Sequence, residues 1–106
     1  MICDAHDVFK ALSDPNRLRI IQGLSTRCQS VNEISETVGM SQPLTSHHLK
    51  ALRRAGIVRQ EIFATSRYYC LSNEIILDMV RLCHEFISRD ISKKGIYCSE
   101  QEVIQQ

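Results

Sequence analysis

Residues 30 to 58 read SVNEISETVGMSQPLTSHHLKALRRAGIV, and the organisation of the chain turns on them. Ser30-Val31-Asn32-Glu33 has the form S-x-x-E, in which a hydroxyl and a carboxylate satisfy each other's backbone N–H groups at a helix start. Ile34 and Val38 then share a face, and Gly39 ends the segment because it tolerates a left-handed backbone. The predicted helix is short, about two turns. Ser41 opens a second helix, with Pro43 inside the first turn, where its missing N–H is tolerated. This second helix runs to Ala55 and stops at Gly56. Two helices joined by a three-residue turn containing glycine form the helix-turn-helix pattern.

Working outward, Ala5, Val8, Phe9 and Leu12 lie at helical spacing, and Ser13-Asp14-Pro15 interrupts them. Proline suits the first turn of the next helix, which carries Leu18, Ile20, Ile21 and Leu24. Beyond Gly56 the period falls to 2. Ile57–Phe63 is a predicted strand, Ala64–Ser66 a turn and Arg67–Leu71 the returning strand. A hairpin directly after a helix-turn-helix is a wing. Ser72 is the expected cap of a long last helix bearing Ile75, Ile76, Met79, Val80, Leu82, Cys83, Phe86 and Ile87. That apolar stripe is wider than one small domain needs, and its surplus reads as a dimer seam shared with the first helix. The predicted fold is α+β, mainly α: four helices, a β-hairpin and a fifth helix in a winged helix-turn-helix, paired as a homodimer through the first and last helices. Residues 1–92 form the expected domain, and residues 93–106 a polar, poorly ordered tail.

A chain of 106 residues is most simply one domain with a small core. A net charge of +1 makes no case for nucleic acid by itself. The distribution does. From Ser41 to Gln60 every charged residue is cationic (Lys50, Arg53, Arg54, Arg59), whereas Glu33, Glu36, Asp78, Glu85 and Glu100 lie elsewhere. The start, MICDAHDVFK, lacks an apolar secretory core, and no run approaches the ~18 apolar residues of a membrane span. The cysteines are Cys3, Cys28, Cys70, Cys83 and Cys98. Their odd number and the absence of C-x-x-C argue against a disulfide framework and a zinc finger, and for a cytoplasmic location.

The helix from Ser41 to Ala55 has two faces. Thr45, His48, Leu49 and Leu52 lie at i, i+3, i+4 and i+7, an inward stripe in which His48 is expected as a hydrogen-bonded inner or boundary residue and not a ligand. Gln42, Ser46, His47, Lys50, Arg53 and Arg54 lie opposite, with donors suited to base edges and phosphates. The residues expected at DNA are Ser41, Gln42, Thr45, Ser46, His47, Lys50 and Arg54, with Arg67 on the wing; Thr45 thus stands in both sets. Adjacent histidines point about 100° apart on a helix and cannot chelate one ion together. No G-x-S-x-G or H-E-x-x-H motif accompanies them, so no enzyme is expected. A basic helix surface that is merely solvated remains the bland alternative.

Three stretches, FKALSDPNRLRIIQGL, VNEISETVGMSQPLTSHHLKALRRAGIV and SRYYCLS, resemble the ArsR/SmtB family of bacterial winged-helix repressors over residues 5–88. The resemblance implies a homodimer on double-stranded operator DNA, released when an effector, often a metal ion, binds. The family's known sensing sites are not matched. Its arsenic-type C-V-C-D-L run falls on Ser30-Val31-Asn32-Glu33-Ile34, without either cysteine. Its zinc-type ligands fall on Asn73, Ile75, Phe86 and Arg89, of which only Asn73 could ligate, and its dithiol pair on Ile21 or Gln22 and Ile87. A thiophilic metal or metalloid ion, or a thiol-reactive species, would then act at Cys3, Cys28 (beside Arg27) or Cys98, whereas Cys70 and Cys83 read as small buried hydrophobes. A winged-helix module that binds protein instead of DNA, and a thiol enzyme or carrier, are the competing readings.

Overall fold

The computed structural model describes residues 4–94 of the chain. They form α1 (Ala5–Leu12), α2 (Pro15–Gly23), α3 (Val31–Val38), α4 (Gln42–Arg54), β1 (Val58–Phe63), β2 (Ser66–Leu71) and α5 (Ile75–Lys94). The chain divides into two units, one up to Ile76 and one from Leu77 onward.

Each helix start in the first unit has a local cause. The Asp4 carboxylate accepts from the Asp7 N–H at 3.1 Å, and the Asp7 carboxylate from the Asp4 N–H at 3.2 Å. Asp14 accepts from the N–H groups of Asn16 and Arg17 ahead of Pro15. Ser30 and Glu33 close the expected capping box on α3, with bonds of 3.2 and 3.0 Å. These reciprocal bonds satisfy donors that a helix cannot pair internally. Gly39, at φ 72°, lets the chain leave α3 and enter α4 after only Met40 and Ser41. At the far end of α4 the Gly56 N–H donates to the Arg53 carbonyl and the Ile57 N–H to the Leu52 carbonyl, a Schellman closure with Gly56 at φ 77°.

The core of this unit sits where α2, α3 and α4 meet. Ile20, Ile21, Leu24, Ile34, Val38, Leu49 and Leu52 are all buried, and Ile57 and Val58 seal the base of the wing. Polar bonds hold the same junction. An Arg19 amino group reaches the Val38 carbonyl at the end of α3 (2.6 Å), and the Gln42 side chain bonds Asn32 Oδ1 (2.6 Å), joining α3 to the head of α4.

The wing is an antiparallel pair with Val58 opposite Leu71 and Phe63 opposite Ser66. Its loop is therefore two residues, Ala64-Thr65, where three were expected. Ala64 takes a positive φ of 55°, which the composition of the loop does not signal. A second attachment joins the wing to the helices. Gln29 and Tyr69 exchange both backbone hydrogen bonds, at 3.0 and 2.7 Å, just ahead of α3. Beside that bridge, Cys28 and Cys70 form a disulfide across 42 residues of sequence. The odd count and the absence of C-x-x-C argue against a disulfide framework, and by sequence Cys28 reads as a free thiol and Cys70 as a small buried hydrophobe; the structure corrects these two readings. Antiparallel register, which count and spacing of cysteines do not report, brings the two sulfurs together.

α5 begins after Asn73, whose side-chain oxygen accepts from the Ile75 N–H at 2.8 Å. Asn73 therefore does what was expected of Ser72, whose own N–H is taken by the Ile57 carbonyl. The helix continues to Lys94. Along α5, Arg81 pairs with Asp78 and Glu85, and Arg89 with Glu85, at the spacings that bring helical side chains together. Leu82, Phe86 and Ile87 are exposed, and so is Cys83, which was expected to be buried. Cys3, Cys98 and the tail from residue 95 lie outside the described residues. No described helix is long and apolar enough to cross a membrane.

Candidate nucleic-acid interface

α4 separates its two faces as its periodicity requires. Thr45 (0% exposed), His48, Leu49 and Leu52 are buried, whereas Gln42, Ser46, His47, Lys50, Arg53 and Arg54 are exposed. Thr45 is thereby corrected. Its hydroxyl donates to the Ser41 carbonyl at 2.8 Å inside the core, so it cannot reach a duplex. Ser41 is exposed and spends its hydroxyl oxygen on the Leu44 N–H as the helix cap. Gln42 is exposed but hydrogen-bonded to Asn32, which fixes the direction in which its amide is presented.

Lys50 projects from the middle of the exposed face, and Arg53 and Arg54 from its last turn. Arg54 also borders an open cleft with Lys10 and Arg17. No carboxylate lies on α4, so its cationic field is undiluted along its own length. Arg59, counted with these cations from sequence, is committed elsewhere: it bonds Glu61 at 3.0 Å and the Leu71 carbonyl at 2.8 Å. Arg67 is exposed on β2, opposite Ile62 and close to the wing tip.

The placing of α4 depends on residues whose role the sequence does not announce. Arg17 on α2 donates from Nε to Nδ1 of His48 at 3.1 Å. His48 therefore accepts at Nδ1 and carries its proton on Nε2, as a neutral ring. Burial pushes the His48 pKa below its ordinary value; the nearby Asp14 charge opposes this, and Arg17 and His47 add to it. A hydrogen-bonded inner or boundary histidine is the role expected for it; its neutrality is a finding of the structure. Its neighbour His47 stands outside with its ring edge-on to that of His48, centroids 5.6 Å apart. Desolvation works to raise the Asp14 pKa, but two backbone N–H groups and the charges of His48 and Arg17 outweigh it and hold the carboxylate below its usual range. In the sequence Arg17 and Arg19 are interleaved with the apolar residues of α2. Nothing in their spacing names partners 31 and 19 residues away.

Two groupings bear on metal binding. Asp4, His6 and Asp7 have ligand atoms within 4.8 Å of one another and are exposed. Both carboxylates serve the capping box of α1, which accounts for their closeness without an ion. Cys28, a candidate thiolate ligand, has its sulfur bonded to Cys70.

Comparison with known proteins agrees with this geometry. The family model described as "Bacterial regulatory protein, arsR family" matches residues 14–60, from the cap of α2 into β1. KmtR, an HTH-type transcriptional regulator of Mycobacterium tuberculosis, is 38% identical over 79 residues, which are 74% of this chain and 61% of KmtR. The transcriptional repressor SdpR of Bacillus subtilis is 31% identical over 84 residues, 79% of this chain and 93% of SdpR. A solution structure from Mycobacterium bovis, described as the homodimeric winged helix-turn-helix DNA-binding domain of a possible ArsR-family regulator, superposes with a TM-score of 0.72 at 25% identity, covering 90% of this chain and 86% of that one. This chain belongs to the arsR family of bacterial regulatory proteins: it is a winged helix-turn-helix, DNA-binding transcriptional regulator.

Proposed function

We propose that the protein is a cytoplasmic, non-enzymatic repressor that binds double-stranded operator DNA as a symmetric homodimer and leaves it when an effector binds. The observation that carries this reading is the exposed flank of α4, polar and cationic along Gln42, Ser46, His47, Lys50 and Arg54, over a buried stripe that fixes its orientation. In a major groove the N-terminal half of α4 presents Ser41, Gln42, Ser46 and His47 to base edges. Lys50 and Arg54 neutralise phosphates, and Arg67 on the wing meets the neighbouring backbone. Two copies related by a two-fold axis address half-sites about 34–36 Å apart. The second copy would cover the exposed Phe9 of α1 and the exposed Leu82 and Phe86 of α5. The effector is a thiophilic metal or metalloid ion, or a thiol-reactive species, and its receptor groups are drawn from Cys3, Cys28 and Cys98, with Cys28 available when its bond to Cys70 is open.

The test is binding to a duplex from upstream of the protein's own gene, and in parallel to one enriched from a random duplex pool, followed by fluorescence anisotropy over a salt series. Affinity should fall steeply as salt rises, because each phosphate contact releases counterions. Lys50→Glu should weaken every duplex alike, by roughly tenfold or more, and lower the salt slope by about one or more. His47→Ala should instead change base preference, by on the order of 1–3 kcal/mol at one position. Binding that ignores salt and survives Lys50→Glu would turn the reading toward a protein partner.

A further inference from the structure

We infer that Cys28 and Cys70 form a thiol–disulfide site, oxidised by hydroperoxides, through which the wing's attachment to the helix-turn-helix controls affinity for DNA; this rests on the DNA-binding reading above.

The geometry builds the site from the backbone. Gln29 and Tyr69 exchange both hydrogen bonds, so they are a hydrogen-bonded pair of an antiparallel ladder. The adjoining positions, 28 and 70, are then a non-hydrogen-bonded pair, where Cα atoms approach to about 4.5 Å and side chains come closest. The observed separation is 4.4 Å. That is within the span two bonded cysteines require, so the pair closes without moving the backbone. The bridge itself is anchored: the buried Gln29 side chain donates to the Gly23 carbonyl at 2.7 Å, and the Tyr69 hydroxyl accepts from Gln60 at 2.8 Å. Two thiols on this bridge are held face to face in the reduced protein as well.

The two sulfurs differ in access. Cys28 is exposed and Cys70 is 3% exposed. That asymmetry suits an attacking and a resolving thiol. The Cys28 thiolate attacks the terminal oxygen of the hydroperoxide; an S–O bond forms, the O–O bond breaks, and the leaving oxygen departs with a proton as alcohol or water. The Cys70 sulfur then attacks the Cys28 sulfenic acid. An S–S bond forms, the S–O bond breaks, and hydroxide leaves as water with the Cys70 proton. Two thiols lose two electrons to one peroxide. Reduction runs through an external thiol, which attacks the exposed Cys28 sulfur, releases Cys70 and leaves as its own disulfide when a second thiol completes the exchange. A protein that works on DNA inside a reducing compartment keeps such a bond only transiently, as sensors do.

The site lies at a mechanical junction. Cys28 precedes the cap of α3 by two residues, and Cys70 lies three residues beyond Arg67 on the wing. Closing the bond adds a covalent clamp between the wing and the start of the helix-turn-helix; opening it leaves the hairpin in place on the Gln29–Tyr69 hydrogen bonds alone, which can lengthen by small amounts as α4 and Arg67 close on a duplex together. The reduced protein therefore binds DNA more tightly than the oxidised one. The pair also differs in place from the family's dithiol pattern, which falls on Ile21 or Gln22 and Ile87.

The experiment uses the full chain with cumene hydroperoxide or dithiothreitol. Alkylation and mass spectrometry locate the disulfide, and anisotropy measures affinity for the duplexes above. The expected result is a Cys28–Cys70 bond after peroxide, a loss of affinity of fivefold or more, full recovery with dithiothreitol, and no response in Cys28→Ser, whose exposed position leaves the fold intact. Cys70→Ala should be equally unresponsive. Equal affinity in the two states, tighter binding by the oxidised protein, or a response that survives in Cys28→Ser through Cys3, Cys83 or Cys98 would overturn the inference. Absence of duplex binding in every state, with the bond still forming, would instead bring down the DNA-binding reading and the regulation built on it.

Discussion

At the scale of single residues, the adjacent histidines of α4 show how position decides chemistry. His47 and His48 differ by one step along the helix, about 100° of rotation. One stands in solvent; the other is 5% exposed and hydrogen-bonded to Arg17. Burial depresses the His48 pKa, so the folded protein keeps the ring neutral while the unfolded chain protonates it at its ordinary value near 6.5. The unfolded state therefore binds more protons between those two values, and stability falls as pH drops from above 6.5 through the folded pKa. Melting temperatures taken between pH 7.5 and 5.5 should decline more for the wild type than for His48→Gln, which keeps an acceptor for Arg17 and cannot charge. Parallel declines would mean that His48 does not titrate as described.

At the scale of elements, the two tight reversals around α4 depend on glycine for a stated reason. Gly39 and Gly56 have φ of 72° and 77°, and a Cβ added at either would meet no atom within 4 Å. The cost of a side chain there is backbone strain alone. Gly39→Ala should destabilise by about 1–2 kcal/mol in a chemical-denaturation series, and Gly39→Asn by less, because asparagine visits the left-handed region more readily. Equal losses would point to something other than φ. The wing shows the opposite case. Its turn puts Ala64 at positive φ without glycine, so the hairpin was recognisable from its alternating pattern while its loop length was not.

At the scale of the whole molecule, exposed apolar side chains on α1 and α5 bear on assembly. Phe9 is 60% exposed and Phe86 67%, and Leu82 and Ile87 on the same helix as Phe86 are exposed as well, so α5 presents an apolar surface and not one isolated side chain. In the proposed homodimer, Phe86→Glu should shift the protein from dimer to monomer in analytical ultracentrifugation. It should also lower affinity for a two-half-site duplex by at least about tenfold, because the second half-site is no longer reached as part of the same complex. A dimer that survives the substitution would place the seam elsewhere. Circular dichroism of the variant separates loss of assembly from loss of folding.

The sequence by itself determined the order of elements and the two faces of α4, because both follow from local rules: capping pairs, glycine at left-handed positions and the periods of 3.6 and 2. The motif spanning Ser30 to Val58 was legible for that reason, and so was the outward set Gln42, Ser46, His47 and Lys50. Thr45 was misassigned: it was counted among the duplex contacts although its place in the inward stripe buries it. Tertiary structure alone decided which distant groups meet. Arg17 reaches His48, Arg19 reaches Val38, and Cys28 faces Cys70, at separations of 31, 19 and 42 residues. Such meetings depend on how elements pack and on strand register, and a one-residue slip in register would have turned Cys70 away from Cys28.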